Sequence, residues 1–454
     1  MTWPSRRRTA SPYDAGRATK GHPVTLGDLD DDALLDALQR AAFDWMLENA
    51  NPDNGLVADN SDDGAPASIA VVGFALTCWP VGVARGWMDR NRALALTLAT
   101  LRFFTHAEQG GDETGTGHRG FFYHFLDMER GRRVWNCELS LIDTALLLAG
   151  CEAASCYFDA DTPDEAEVRA LARALIASVE WPWALDRGDT LSQGWHPETG
   201  FIRYDWEGYS EALILYVLAL GSDTHPVPPD SYRAWRVTYQ WEKIYGHDTL
   251  YAGPLFIHLF SHIWLDFRTI GDGFNREKGI TYFTNTRRAV QIQSDYARLN
   301  PRGFAGYDAN CWGLTACDGP GGAMNTADDT GRQFLEYTAR GAPFGPDDGT
   351  LAGWAPAAAM PFAPTTAMAA LRTMLHRYPG MLRDDRFLGS FNPSLPGEGP
   401  EGWISPRIYG LDQGLLVLMI ENHRSGMIWD LMRASQVCNT GLRRAGFKGG
   451  WLDE

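Results

Sequence analysis

The sequence predicts an all-α fold: one helical domain of about eleven to twelve helices with elaborated loops. Three observations predict it. Eleven segments repeat apolar residues at the spacing of a helix face. No run of alternating residues is long enough to build a sheet core. The segments between the helices are long and rich in Gly, Trp, Tyr and Asp, and none has linker composition.

Taken in order, residues 1–24 are polar, with Gly, Pro and Arg, and read as a flexible arm before a single domain spanning 25–454. Thr25 or Asp28 is a candidate cap for the first helix, whose Leu34, Leu35, Leu38, Ala42 and Trp45 share one face. Further helices are expected over Ile69–Gly86, Arg90–His106, Glu138–Phe158, Asp164–Leu185, Tyr209–Leu220, Leu255–Phe267 and Tyr282–Asn300. Pro364–Tyr378, Leu411–Asn422 and Met427–Arg433 complete the set. Pro163 and Pro364 stand where a first helical turn tolerates proline. Ile69–Gly86, Glu138–Phe158, Tyr209–Leu220 and Leu411–Asn422 are the most apolar all round, which assigns them to an inner layer. An (α/α)6 barrel, six helical hairpins in an inner and an outer ring, would use such helices and would build a cleft from the loops at one end.

Charge narrows the partners. Lys+Arg is 40 and Asp+Glu is 57, a net charge of −17 over 454 residues. This disfavours binding to nucleic acid or to an anionic membrane. The longest apolar stretch, Ile69–Ala84, is shorter than the roughly 20 residues a membrane span needs and contains Gly73, Pro80 and Gly82. No signal peptide is visible, so the chain reads as soluble and cytoplasmic, or periplasmic if a leader has been trimmed. Seven cysteines without a CxxC read as buried thiols.

The loops place aromatics beside carboxylates, as in WNCE at Trp135 and YDWEGYSE at Tyr204. Aromatic faces suit the C–H faces of sugar rings, and carboxylates, His and Arg suit the hydroxyls. Trp135, Tyr209, His262, Asp266, Arg268, Trp312, Asp318, Arg340 and Arg407 are therefore candidate substrate-binding residues. Four acids near helix starts are candidates for catalysis. Glu211 precedes a very apolar helix; it is either a charge on the helix dipole or a buried acid with a raised pKa. Glu138 and Asp143, five apart on one expected helix, would point roughly 140° apart. Asp143 lies among apolar residues and needs a partner or a role. Asp412 heads another apolar helix. His258, His262 and Asp266 form a row at four-residue spacing, which suits a metal, sugar hydroxyls or packing. No metal or cofactor is expected.

The segments WNCELSLIDTALLLAG, GWHPETGFIRYDWEGYSEALILYVLALGSDTHP, YAGPLFIHLFSHIWLDFR, WGLTACDGP, YTARGAPFGPDDGTLA, MPFAPTTAMAALR and GLDQGLLVLMIENHRSGMIWDLMR resemble the bacterial glycoamylase-like family. The resemblance extends to its endo-β-1,2-glucanases (glycoside hydrolase family 144) and to the transglycosylase domain of cyclic β-1,2-glucan synthases, and covers nearly the whole chain. It implies an (α/α)6 barrel and a hydrolase of β-1,2-glucan or its oligosaccharides, working through general acid and base with inversion. The alternatives are a retaining transglycosylase or hydrolase on another β-glucan, and an inactive glycan-binding protein. On this resemblance Glu211 matches the general acid, Asp412 the acid on the water-activating side, and Asp143 a further important acid. Glu138 matches the nucleophile of retaining members.

Overall fold

The structure, a computed structural model, describes residues 26–321 and 333–454. The expected N-terminal arm and Thr25 lie outside the described residues. Helix α1 (Asp31–Glu48) is capped by Asp30, whose carboxylate accepts from Ala33 N at 2.8 Å. Asp28, one of the two caps expected, instead ends a 3-10 turn. Helices α2 (Ile69–Ala84), α3 (Arg90–Thr105), α4 (Leu141–Tyr157), α5 (Pro163–Ser178) and α6 (Leu213–Gly221) follow. Then come α7 (Pro229–Arg236), α8 (Gly273–Lys278), α9 (Tyr282–Leu299), α10 (Ala355–Ala358) and α11 (Pro364–Arg377). Helices α12 (Gly410–Arg424), α13 (Met427–Met432) and α14 (Gln436–Arg444) end the chain. Among the described residues, no helix is long and apolar enough to cross a membrane.

The helices pack in two layers. α12, α2, α4 and α6 lie side by side in that order, and each is buried over most of its circumference. On their outer side α1 covers α12, α3 covers α2, α5 covers α4 and α14 covers α6. The expected inner helices are thus the inner ones observed. The close approach of α2 and α4 depends on glycine: a Cβ at Gly73 would stand 2.2 Å from Leu146 O, and one at Gly150 2.1 Å from Gly73 O.

Four elements depart from expectation. The stretch Leu255–Phe267 is not an α-helix but two 3-10 turns, Leu255–His258 and Phe260–Ile263. The first amides of the stretch bond outward, Leu255 N to Leu314 O and Phe256 N to Thr315 Oγ1, as the unpaired amides of a helix start must. His258, His262 and Asp266 therefore do not form a stripe on one helix face. Expected helix 164–185 ends at Ser178 and resumes as a 3-10 turn at Trp181–Ala184. Helix α4 starts at Leu141, so Glu138 is outside it, and α6 starts at Leu213, so Glu211 is in the turn before it.

Short strands tie the helix starts together. A five-stranded antiparallel sheet runs Gly117–His118, Phe121–Tyr123, Leu139–Ser140, Gly194–His196, Gly200–Phe201. Ala67–Ser68, just ahead of α2, pairs with Phe125–Leu126. Asn60 bridges Tyr409, just ahead of α12. These links bring the N-terminal ends of α2, α4 and α12 to one end of the domain.

Candidate active site

At that end the chain makes a tight turn. Trp135 and Asn136 both adopt left-handed backbone, at φ 58° and 49°, a conformation uncommon for residues with a side chain. The turn sends Glu138 back alongside His124, whose amide donates to Glu138 O at 3.0 Å. The His124 ring then meets two carboxylates: Nδ1 lies 2.8 Å from Glu138 Oε1 and Nε2 lies 3.6 Å from Asp143 Oδ2. Glu138 and Asp143 converge because only Asp143 is helical, so the expected 140° divergence does not apply. Asp143 Oδ2 also accepts from Ser140 Oγ, the residue that caps α4.

The electrostatics follow from this crowding. Burial alone would lower the His124 pKa, but Asp143, Glu138 and Asp59 outweigh it and raise it to about 9. Burial would raise Glu138, yet its bond to His124 holds it below the usual carboxylate value. Glu211 is pushed up to about 7 by burial and, further, by the charge of Asp143. Asp412 is driven well above the ordinary value by burial and by the charges of Asp59 and Asp318, although the Trp354 indole beside it works the other way. Burial also raises Asp59. Glu211 and Asp412 retain some solvent-accessible surface while surrounded by protein, as expected of groups lining a concave site.

Of the expected binding residues, three lie with these acids. Asp318 accepts from Ser405 Oγ at 3.0 Å and from Arg407 Nη1 at 3.2 Å, and Arg407 also pairs with Asp62 at 2.6 Å. Trp135 is 66% exposed and leans on Phe125, which stacks on His124 with centroids 3.9 Å apart. A cleft of about 440 Å³ opens beside them, lined by Glu113, Asn136, His196, Glu198 and Thr199.

The other six are engaged elsewhere. Arg340 is fully buried, clamped on Asp348 at 2.7 and 2.9 Å and on Cys317 O at 2.8 Å, so it supports the Asp318 loop from behind. Trp312 is fully buried. Tyr209 is packed against Tyr282, His258 and Tyr239. The His262 ring sits among Phe267, Phe283 and Phe362 and bonds Thr286 Oγ1 at 3.1 Å. Asp266 holds Arg268 and Arg433, and Arg268 lies over Trp429. From Ile263 onward this segment runs towards the far end of α12, whereas Ser261, beside His262, donates to Glu211 O at 3.0 Å and Tyr209 is two residues from Glu211. Asn422, which bonds Ile263 O at 2.9 Å, is ten residues beyond Asp412, about 15 Å along the axis.

Sequence reasoning missed Asp59, His124 and Tyr337. Tyr337 is 58% exposed, yet near enough to Asp412 and Asp59 for their charges to act on its hydroxyl. The signal for it was the YTARG segment, noted for resemblance and not for its aromatic. His124 had only its aromatic flanks, GFFYHF, to mark it.

Among the described residues, His124, Glu138 and Asp143 bring donor atoms within 4.8 Å of one another. The ring turns Nδ1 to Glu138 and Nε2 to Asp143, so it sits between two anions.

A family model described as putative glucoamylase matches residues 203–436, just over half of the chain. The exo β-1,2-glucooligosaccharide sophorohydrolase (non-reducing end) of Parabacteroides distasonis is 26% identical over 96% of this chain. The chain spans only 61% of that curated relative's length. The crystal structure of a putative glucoamylase from Bacteroides uniformis matches with TM-score 0.82 at 27% identity, over 94% of this chain and 99% of that one. A β-1,2-glucanase structure from Parabacteroides distasonis matches with TM-score 0.79 at 25% identity, over 92% of this chain and 60% of that one. The resemblance read from the sequence segments and these matches agree: the chain belongs to the glycoamylase family.

Proposed function

We propose that this protein is a glycoside hydrolase cleaving β-1,2-linked gluco-oligosaccharides, with Glu211 as the proton donor. The observation that carries the reading is Glu211 itself: a carboxyl at the mouth of an apolar helix, with a pKa of about 7 and a second acid beside it. Such a group is still largely protonated at neutral pH and can give its proton to the glycosidic oxygen as the bond to the anomeric carbon breaks. The activity named for the Parabacteroides relative supports the linkage. The two-layer packing and the structural matches support closure of the helices into an (α/α)6 barrel. Exposed Trp135 and Tyr337 offer faces for sugar rings at the two sides of the acid cluster.

Asp412 is the second carboxylate of an inverting reaction. The assignment rests on its match to the acid on the water-activating side of inverting members; burial and the charges of Asp59 and Asp318 raise its pKa, so it must be ionised before it can take a proton from water. One observation favours Glu138 and retention instead: His124 keeps it ionised, as a nucleophile must be. The test incubates the protein with linear β-1,2-gluco-oligosaccharides and with other β-glucans, and follows reducing ends and the first anomer by NMR. Release from the β-1,2 substrate with initial α product supports Asp412. Initial β product transfers the role to Glu138. No release from the β-1,2 substrate would overturn the proposed activity.

A further inference from the structure

We propose that His124 is a positioning residue: a doubly protonated clamp, seated between the Glu138 and Asp143 carboxylates, that sets the acid limit of activity. The inference deepens the hydrolase reading and rests on it for its kinetic arm alone.

The ring presents two polar edges. Nδ1 and Nε2 face different carboxylates, at 2.8 and 3.6 Å. A neutral imidazole carries one N–H, so one of its nitrogens would turn a lone pair toward an anion. The imidazolium gives an N–H to Glu138 and turns its other N–H and its positive charge toward Asp143, which lies just beyond hydrogen-bond distance. The ring is held where it is by its neighbours on every side. Its amide bonds Glu138 O, its carbonyl accepts from Ile69 N at 3.2 Å, and Phe125 stacks flat on it.

The charged groups acting on the ring come from three elements: Glu138 ahead of the central sheet strand, Asp143 in the first turn of α4, and Asp59 in the loop after α1. Beyond them His196 acts on Glu138, Arg407 acts on Asp59, and Asp143 acts on Glu211. Within the triad, His124 is therefore the cation among anions. Remove it and Glu138 loses the cation that holds its pKa down, so the free anion at Glu138 would be harder to keep.

The test has two arms. The first is histidine 15N NMR of the wild-type protein, with His124→Asn assigning the signal. The clamp predicts both ring nitrogens protonated at pH 7 and a titration near pH 9. An unprotonated ring nitrogen at pH 7 would overturn the proposal, whatever the enzyme's substrate proves to be. The second arm is the pH profile of kcat/KM on a β-1,2-linked gluco-oligosaccharide. His124→Asn keeps a donor toward Glu138 but removes the charge, so the acid limb is expected to move up by about one pH unit or more. A folded variant, checked by circular dichroism, with an unmoved acid limb would also overturn it.

Discussion

The two ends of helix α12 carry charge in opposite ways. At its C-terminal end Asp266 is gripped by Arg268 and Arg433, with Trp451 Nε1 on its backbone carbonyl at 2.8 Å. Its pKa is lowered: burial would raise it, and the two guanidinium partners more than offset that. At the N-terminal end Glu211, Asp143, Glu138, Asp59, Asp412 and Asp318 crowd together with His124 and Arg407 between them, and three of the acids, Glu211, Asp412 and Asp59, are pushed upward. Balanced, saturated charge holds a fold together. Unbalanced charge that keeps a proton near neutral pH is an expense the fold bears only where chemistry uses it.

That contrast predicts graded outcomes. The largest is at the unbalanced end. Glu211→Gln keeps the shape and removes the proton, so turnover should fall by about 10²–10⁴-fold while circular dichroism stays unchanged. If the variant kept more than about a tenth of wild-type turnover, the two ends would not differ as described. Next comes the fully buried pair behind the site. Arg340→Ala leaves Asp348 buried without its cation, held by the Leu335 and Thr350 amides, and urea denaturation should register a loss of about 3–5 kcal/mol. A loss under 1 kcal/mol would deny the pair its structural role.

Smaller is the aromatic edge. Tyr337→Ala should raise KM with little change in kcat, at about 0.5–1.5 kcal/mol for a lost stacking face. A fall in kcat with unchanged KM would argue against a binding role. Smallest is stability against pH. The folded pKa of His124 is raised, so its contribution is complete below about 6.5, its ordinary value, and is lost as pH rises through about 9. Glu138 is lowered, so its contribution is present above its ordinary value of 4.5 and is lost as pH falls. Thermal melts of wild type and His124→Asn should therefore diverge most at pH 5–6 and converge above pH 9. Parallel curves across that range would remove His124 from the account.

The sequence made the inner layer readable because α2, α4, α6 and α12 are apolar on every face, and a helix apolar all round has to be inside. It hid α14, whose contact surface is small: a Cβ at Gly441 would lie 1.9 Å from Val217 O, so close packing there leaves no hydrophobic stripe to see. It made Glu211 and Asp412 visible as acids before apolar helices. It did not show that His262 would be packed among aromatic rings or that Asp266 and Arg268 would be paired with each other, because residue type alone does not tell a structural partner from a binding group. It missed His124 because its partners come from a backward turn at Trp135 and Asn136, which helical periodicity does not encode. Tyr337 was passed over because an aromatic in a loop is as often packing as platform.

The central claim is that the unbalanced end stores a proton on Glu211 for delivery to substrate. Carboxyl 13C NMR titration of glutamate-labelled wild type against Glu211→Gln tests it most directly. The account predicts that the variant lacks one signal, and that this signal titrates near pH 7 in the wild type. If the missing signal titrated instead near the ordinary glutamate value of 4.5, Glu211 would be ionised at working pH and the account would be contradicted.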